Sequence, residues 1–260
     1  MAEIFRRREI KYRLDETRLP GILEEISRHA VPDAYNADGR EYGIVNLYMD
    51  TPDDWFIRRS LRGPRYKEKL RLRGYGGRFD EYTPVYLEIK KKVDKIVNKR
   101  RIRLPLGDAM RYLDHPDPGA LPASDRQVGA EIAWLLHSRP AAPKLFLAYE
   151  RLAFSGTEDA GLRITFDSGI RTRRDRVDLT AGNDGEALLS ADERLMEVKV
   201  PGAIPFWLAR LLSEYAIVPT HFSKYGAEYR RKIQQEEDAG CCSPCKPCLQ
   251  HQSQPCRFGA

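Results

Sequence analysis

The sequence KEKLRLR, residues 67–73, places a basic side chain at every second position. Two further segments of alternating charge follow, YLEIKKK at 86–92 and KRRIR at 99–103. Alternate side chains of a β-strand point to the same face, so each segment predicts a strand with a charged and an apolar face. A solvated outer face would explain one such strand. Like charges opposite one another destabilise a sheet, so three strands in succession favour a face that binds an anion.

The positive charge is local. Residues 58–103 hold 17 basic and 5 acidic side chains, a surplus of 12, whereas the whole 260-residue chain has a formal net charge of only +6. The remaining residues therefore carry a net charge of −6. This distribution predicts a polyanionic ligand. Nucleic acid is not predicted, because no aromatic platform interleaves the basic strands and no helix-turn-helix or zinc-finger spacing precedes the last 20 residues.

Later strands repeat the charged face. A glutamate and a lysine two residues apart occur at Glu9 and Lys11, at Glu88 and Lys90, and at Glu197 and Lys199, and Arg163, Thr165 and Asp167 share one face of another strand. Charged faces on so many strands predict an α+β fold: a mostly antiparallel closed β-barrel that encloses a polar tunnel, with a few flanking helices over its apolar outside. The strands beyond the three basic segments are expected at 4–14, 42–50, 145–154, 162–166, 170–175 and 195–200.

Other features of the chain bound its class. No run of 18 apolar residues exists, so no transmembrane segment is expected, and the charged N-terminus lacks the apolar stretch of a signal peptide. A cytoplasmic location is therefore the expectation. The first 240 residues contain no cysteine, which agrees with a reducing compartment.

The last residues have a different composition from the rest. All five cysteines lie after residue 240, among glutamine, serine and proline. This predicts one folded domain over 1–235 and a flexible Cys-rich tail over 236–260. The tail leaves open a zinc or iron–sulfur site, whose ligands would be Cys242, Cys245, Cys248, His251 and Cys256.

An ordered series of motifs between about residues 4 and 232 resembles the VTC domain, the polyphosphate polymerase module of the triphosphate tunnel superfamily. The first half contributes Glu9-x-Lys11-Tyr12, Asn46-Leu47-Tyr48-x-Asp50-Thr51-Pro52, Lys69-Leu70-Arg71-Leu72-Arg73-x-Tyr75-Gly76, Leu87-Glu88-Ile89-Lys90-x-Lys92 and Lys99-Arg100-Arg101. The second half contributes Tyr149-x-Arg151, Arg163-Ile164-Thr165-Phe166-Asp167, Met196-Glu197-Val198-Lys199 and Phe222-Ser223-Lys224-Tyr225. One motif alone is weak evidence, whereas the series in this order is specific.

The resemblance implies that ATP donates its terminal phosphoryl group to a growing inorganic polyphosphate chain inside the tunnel, assisted by Mn²⁺ or Mg²⁺. The catalytic residues would be Arg71, Arg73, Lys90, Arg151, Arg163 and Lys224. The residues that bind substrate phosphate would be Lys11, Lys69, Lys92, Lys99, Arg101, Tyr149, Lys199 and Ser223. Glu197 matches the metal-binding glutamate, and Glu9 and Glu88 are further candidates.

Two other functions use the same basic tunnel. A tunnel triphosphatase would hydrolyse inorganic or nucleoside triphosphate, and a non-catalytic module would bind polyphosphate without turnover. Retention of Glu197 beside a full set of cations favours catalysis. If a polyphosphate product crosses a membrane, a membrane protein partner is expected to move it.

Overall fold

The computed structural model describes residues 8–36, 38–94, 96–159 and 161–241. Its strands are β1 (Arg8–Asp15), β2 (Ala30–Pro32), β3 (Tyr42–Asp50), β4 (Tyr66–Tyr75), β5 (Pro84–Val93), β6 (Ile96–Pro105), β7 (Ala142–Gly156), β8 (Arg163–Arg173), β9 (Glu186–Ala187), β10 (Glu193–Val200) and β11 (Pro219–Thr220). Its α-helices are α1 (Leu19–Ser27), α2 (Trp55–Leu61), α3 (Leu106–Asp114), α4 (Arg126–Ser138), α5 (Phe206–Glu214) and α6 (Lys224–Cys241). The predicted α+β class is confirmed.

All strands belong to one antiparallel sheet. Its order is β11-β1-β10-β8-β7-β3-β4-β5-β6, with β2 paired to β7 and β9 to β8. The closed barrel that the sequence predicts is not confirmed, because the hydrogen-bonded path ends at β11 and β6, and these two strands do not pair within the described residues. Alternating charge predicts which face is polar, but it carries no information on whether two edge strands come close enough to bond.

The sheet is nevertheless strongly curved. Five strands lie between β1 and β5, so in a flat sheet these two would be about 29 Å apart at the usual spacing between strands. Glu9 of β1 and Lys90 of β5 instead line the same cavity and interact electrostatically. The polar face is therefore concave and turns inward.

The outer face carries the alternate, apolar residues, which pack under the helices. Leu70 and Leu72 of β4 belong to a core that includes residues of α3 and α4. Ile164 and Phe166 of β8 belong to a second core beneath α1 and α5. Burial of these apolar stripes holds the sheet in shape from outside and leaves its charged face free.

Strand β8 is continuous where the sequence predicts two strands, at 162–166 and 170–175. An extra residue at Gly169, with φ of +53°, forms a bulge opposite Tyr149 of β7. A bulge shifts the alternation by one position. Asp167 and Ile170 consequently both belong to the inner face, which a strict period of two does not allow.

Helix α6 begins beside the concave face and is fixed there by a buried hydrogen bond. The Tyr225 hydroxyl donates to Asp50 over 2.7 Å, and the same carboxylate accepts the backbone N–H groups of Phe56 and Ile57 at the start of α2. Lys224, the residue before Tyr225, is thereby placed at the concave face. The helix extends to Cys241, past the predicted domain boundary at residue 235, and the proposed metal ligands of the tail lie outside the described residues.

In the described part of the chain, no helix combines the length and the apolar character needed to cross a membrane.

Candidate functional site

The concave face encloses a cavity of about 200 Å³ with a strong excess of positive charge. Nine cationic side chains line it against three carboxylates, a surplus of six. The lining residues are Glu9, Lys11, Tyr48, Lys69, Arg71, Arg73, Glu88, Lys90, Lys99, Tyr149, Arg151, Glu197, Lys199, Ser223 and Lys224. They come from β1, β3 to β7, β10 and the beginning of α6, so only the folded sheet brings them together.

A row of three lysines crosses the first part of the cavity. Lys69 of β4 lies opposite Lys90 of β5, which lies opposite Lys99 of β6. Of the three, Lys99 alone has a carboxylate within 4 Å in the described part of the chain, at 2.6 Å from Glu88. Lys69 and Lys90 therefore supply charge that the protein does not neutralise.

Glu88 is a buried counter-ion that fixes two cations. Its side chain is 1% exposed. One oxygen accepts a hydrogen bond from Arg71 Nε over 2.8 Å and lies 2.7 Å from a terminal nitrogen of Arg71, and the other oxygen lies 2.6 Å from Lys99. Burial alone would raise the pKa of this carboxyl, but Arg71, Arg73 and Lys99 lower it to about 2. Both oxygens contact cations, so the arrangement fits a role in orienting them, and the metal-binding role considered from the sequence stays a prediction.

Arg73 is held differently, by neutral partners. Its Nε donates to the side-chain oxygen of Asn46 over 2.9 Å, and one terminal nitrogen donates to the Tyr149 hydroxyl over 3.2 Å. The guanidinium is thus fixed in direction without losing its charge to a carboxylate. A planar guanidinium held this way presents its remaining N–H groups to a phosphate.

Asp167 is a second buried counter-ion, on the other side of the cavity from Glu88, and it also fixes two cations. It is fully buried, accepts two hydrogen bonds from Arg151 at 2.6 and 2.8 Å, and also bonds Lys224. Burial would raise its pKa, but Lys224 and Arg151 hold that pKa below the usual value. The alternation of residues in the sequence predicts that Asp167 lies on the inner face but gives it no role.

Glu197 is a buried carboxylate of the cavity that lies between two lysines. It faces the cavity, with Lys199 2.5 Å from one oxygen and Lys11 3.6 Å from the other, and Lys11 also lies 3.3 Å from Glu9. Lys199 and Lys11 overcome the effect of burial and lower the pKa of Glu197, so it is ionised at neutral pH.

A buried hydroxyl lies beside Glu197. Thr165 lies directly across from Glu197, and its Oγ1 makes no bond within the described residues. Mg²⁺ and Mn²⁺ bind oxygen and take most of their ligands from phosphate and water, so one or two carboxylates from the protein suffice. Glu197, with Glu9 nearby and an unsatisfied oxygen at Thr165, fits such an ion.

Two lysines of the cavity have lowered pKa values because they are buried close to other cations. Burial lowers the pKa of Lys69 to about 8, and the charges of Lys90 and Lys11 act in the same direction. Burial likewise lowers the pKa of Lys99 to about 8, against the attraction of Glu88. A bound anion would relieve this repulsion, so the cavity is preorganised for one.

Tyr48 lines the cavity, although the sequence motif that contains it gave it no role in the site. Its hydroxyl accepts a hydrogen bond from Arg71 over 3.2 Å, and it lies opposite Arg71 in the sheet. Burial would raise the pKa of this phenol, but Arg71, Lys69 and Arg73 lower it to about 7. The signal for it was present in the sequence, since Asn46 and Tyr48 alternate on one face of β3.

Three predicted site residues lie outside the lining. Arg163 pairs with Asp33, and the Arg101 guanidinium lies 4.5 Å from the centre of the Tyr86 ring. Lys92 continues the charged face of β5 one step past Lys90. The other predicted residues, namely Lys11, Lys69, Arg71, Arg73, Lys90, Lys99, Tyr149, Arg151, Lys199, Ser223, Lys224, Glu9, Glu88 and Glu197, all line the cavity. Their chemical roles stay predictions.

Comparison with solved structures finds distant similarities. A proposed adenylate cyclase from Bacillus halodurans has a TM-score of 0.49 at 13% identity, with 85% of this chain and 94% of that chain covered. A proposed adenylate cyclase from Vibrio parahaemolyticus has a TM-score of 0.47 at 13% identity, with 86% and 97% covered. At these scores the similarities carry no conclusion about activity.

Comparison at the level of sequence is more informative. No curated protein matches the chain significantly. The VTC domain, however, matches residues 6–232, which include every residue that lines the cavity. The chain therefore belongs to the VTC domain family.

Proposed function

We propose that this protein is a polyphosphate polymerase that transfers the terminal phosphoryl group of ATP to the end of an inorganic polyphosphate chain. The observation that carries the proposal is the cavity itself, where nine cations surround three carboxylates. Basic side chains also continue beyond its lining, at Lys67 on β4 and Lys92 on β5. This continuation supports a ligand longer than a single triphosphate.

The proposed reaction asks for alignment and charge neutralisation rather than covalent catalysis. An oxygen of the terminal phosphate of the chain forms a bond to the γ-phosphorus of ATP, the bond between that phosphorus and the β,γ-bridging oxygen breaks, and ADP leaves. The attacking oxygen is already an anion, so no general base is required. In-line positioning of the two oxygens and stabilisation of the transferring group supply the rate enhancement.

The arginines are the positioning groups in this proposal. Arg71 is fixed by Glu88, Arg151 by Asp167, and Arg73 by Asn46 and Tyr149. Donors that are already oriented cost little reorganisation when the transition state forms. Lys69 and Lys90, which have no carboxylate within 4 Å in the described structure, would follow the phosphates as mobile point charges.

Glu197 and Glu9 would hold a divalent cation, Mn²⁺ or Mg²⁺, which when bound neutralises charge on phosphate oxygens. Lys199 and Lys11, which contact these carboxylates now, would turn to the phosphates.

The test is incubation of the purified protein with ATP and Mn²⁺, with ADP and polymer measured together. We expect ADP release to match the phosphate incorporated into long chains. Release of inorganic phosphate without polymer would replace the proposal with a tunnel triphosphatase. Tight, salt-sensitive polyphosphate binding without any turnover would replace it with a binding module.

A further inference from the structure

Three tyrosines continue the inner face of the sheet at one end of the cavity. Tyr75 follows Arg73 by two residues on β4, and Tyr86 lies opposite Arg73 on β5. Tyr42 of β3 lies opposite Arg151 of β7. Because residues two apart on a strand share a face, these rings lie at the edge of the charged lining.

A fourth ring joins them into a continuous surface. Tyr35, in the short 3-10 helix before β3, lies 6.3 Å from Tyr75 in a parallel arrangement and 5.6 Å from Tyr42. Tyr75 in turn lies 5.9 Å from Tyr86, edge to face. We call Tyr35, Tyr42, Tyr75 and Tyr86 the tyrosine rim.

The tyrosine rim is accessible to a ligand. Tyr35 is 70% exposed and Tyr75 is 36% exposed, although both lie beside a strongly cationic cavity. At the opposite end of the cavity, the inner faces of β4 and β5 end in Lys67 and Lys92 rather than in tyrosines. In the described structure, exposed rings adjoin one another at one end of the cavity, whereas lysines continue the inner face at the opposite end. This difference favours a ligand with a planar group at one end only.

We propose that the tyrosine rim binds the nucleobase of the nucleoside triphosphate whose phosphates occupy the cavity. The proposal rests on the nucleotide substrate of the function proposed above. Base–aromatic stacking is favourable for every base, because each has a π-face. Tyr75 is about 7 Å along β4 from Arg73 and about 13 Å from Arg71, so a stacked base places its ribose, then its phosphates, in sequence along the strand.

The two arginines displaced from the cavity lining flank the tyrosine rim. Arg101 lies over the Tyr86 ring, and Arg163, through its pair with Asp33, lies near Tyr42. A guanidinium beside an aromatic ring offers both a stacking plane and hydrogen-bond donors to a base or ribose. Their position agrees with a role near the base end of the nucleotide.

The experiment compares two triphosphate ligands, one with a nucleoside and one without. Calorimetric titration with the β,γ-imido analogue of ATP and with inorganic triphosphate would be carried out on the wild type and on Tyr35→Ala. We expect the variant to bind the ATP analogue about tenfold more weakly and inorganic triphosphate within about twofold of wild type. Tyr35→Phe should retain binding of the analogue. Phe206→Ala, which removes an 81% exposed ring on α5, should change neither ligand.

Three outcomes would overturn the inference: equal weakening of both ligands, no weakening even in Tyr35→Ala/Tyr75→Ala, or a wild type that binds triphosphate but not the analogue. The polymer assay separates this result from the proposed function. A selective loss of nucleotide affinity in a protein that makes no polymer keeps the tyrosine rim and removes the polymerase. If the protein makes polymer, but Tyr35→Ala and Tyr35→Ala/Tyr75→Ala bind the nucleotide as tightly as wild type, the polymerase is kept and the tyrosine rim is removed.

Discussion

The two walls of the cavity differ in how they balance charge. The first wall, formed by β4, β5 and β6, contributes five cations and one carboxylate, namely Lys69, Arg71, Arg73, Lys90, Lys99 and Glu88. The second wall, formed by β1, β7, β8, β10 and the start of α6, contributes four cations and two carboxylates to the lining and a third behind it, namely Lys11, Arg151, Lys199, Lys224, Glu9, Glu197 and Asp167. In the proposed reaction, the first wall would bind phosphate and the acidic oxygens of the second wall would hold the metal ion.

Arg71 is the centre of the first wall, and its removal should have the largest effect. If polymerase activity is shown, Arg71→Ala should lower turnover by about 10³-fold or more, the range of arginines that stabilise phosphoryl transfer. Arg71→Lys should recover part of this loss, since it restores charge but not the planar fork. The measurement is ADP and polymer formation at saturating ATP.

Loss of Arg71 also leaves Glu88 without its main partner. Glu88 keeps its 2.6 Å contact with Lys99 in Arg71→Ala, so the double variant Arg71→Ala/Glu88→Gln, which also removes the counter-ion of Lys99, should have a lower thermal midpoint than Arg71→Ala and stay inactive. Recovery of turnover together with stability would mean that Arg71 acts only through folding.

Asp167 tests whether the second wall depends on its buried carboxylate. Asp167→Asn leaves Arg151 and Lys224 buried without a counter-ion, and we expect a loss of about 3–5 kcal/mol in the free energy of unfolding. Chemical denaturation measures it. Glu9→Gln, a change at a more exposed carboxylate of the same wall, should cost less than about 1 kcal/mol. Inorganic triphosphate should stabilise Asp167→Asn more than wild type; equal stability of the two proteins without ligand would contradict the assignment.

Substitution of Glu197 tests whether the second wall holds a metal ion, a role that the first wall does not have in the proposal. Glu197→Gln should lower Mn²⁺-dependent turnover by about 100-fold, because a metal ion contributes several kcal/mol to charge stabilisation. Metal-free binding of triphosphate should be unchanged or tighter, since a negative charge has left the cavity. Mn²⁺ binding, followed by its paramagnetic relaxation signal, provides a readout independent of activity. Normal Mn²⁺ affinity in the variant would remove Glu197 as a ligand.

The sequence predicted which face of each strand is charged, because a period of two is a local property. It could not predict how far along the face a residue lies. Arg101 and Arg163 alternate correctly, yet they lie outside the lining, and Arg163 has its partner Asp33 130 residues away. Whether a side chain reaches the cavity depends on the register and the curvature of the sheet. Packing between segments that are distant in sequence sets both.

The residues missed by sequence reasoning share a second cause. Tyr48 and Asp167 do not belong to the basic pattern, and their roles appear only when a partner strand brings Arg71 or Arg151 against them. The shift of alternation at Gly169 likewise depends on a bulge opposite Tyr149. A search for charge of one sign therefore finds the groups that touch the ligand and overlooks those that orient them.

The pH dependence of binding gives a smaller, graded test of the first wall. Burial lowers the pKa of Lys69 and of Lys99 to about 8, so in the unliganded protein both lose their protons between pH 7 and 9. The ligand favours the protonated lysines. Affinity for inorganic triphosphate should therefore fall as pH rises, by up to about tenfold for each lysine over this range.

Stability should change in the opposite direction. A lysine whose pKa is lower in the folded protein than in the unfolded chain binds more protons when unfolded, so its contribution to stability rises between about pH 8 and 10.5. Lys69→Met should reduce both dependences, whereas Lys91→Met, on the outer face of β5 and paired with Glu131, should alter neither. A wild-type pH profile of triphosphate binding in Lys69→Met would mean that another residue supplies the titrating charge of the first wall. Lys90, which lies opposite Lys69 on β5, is then the residue to change next.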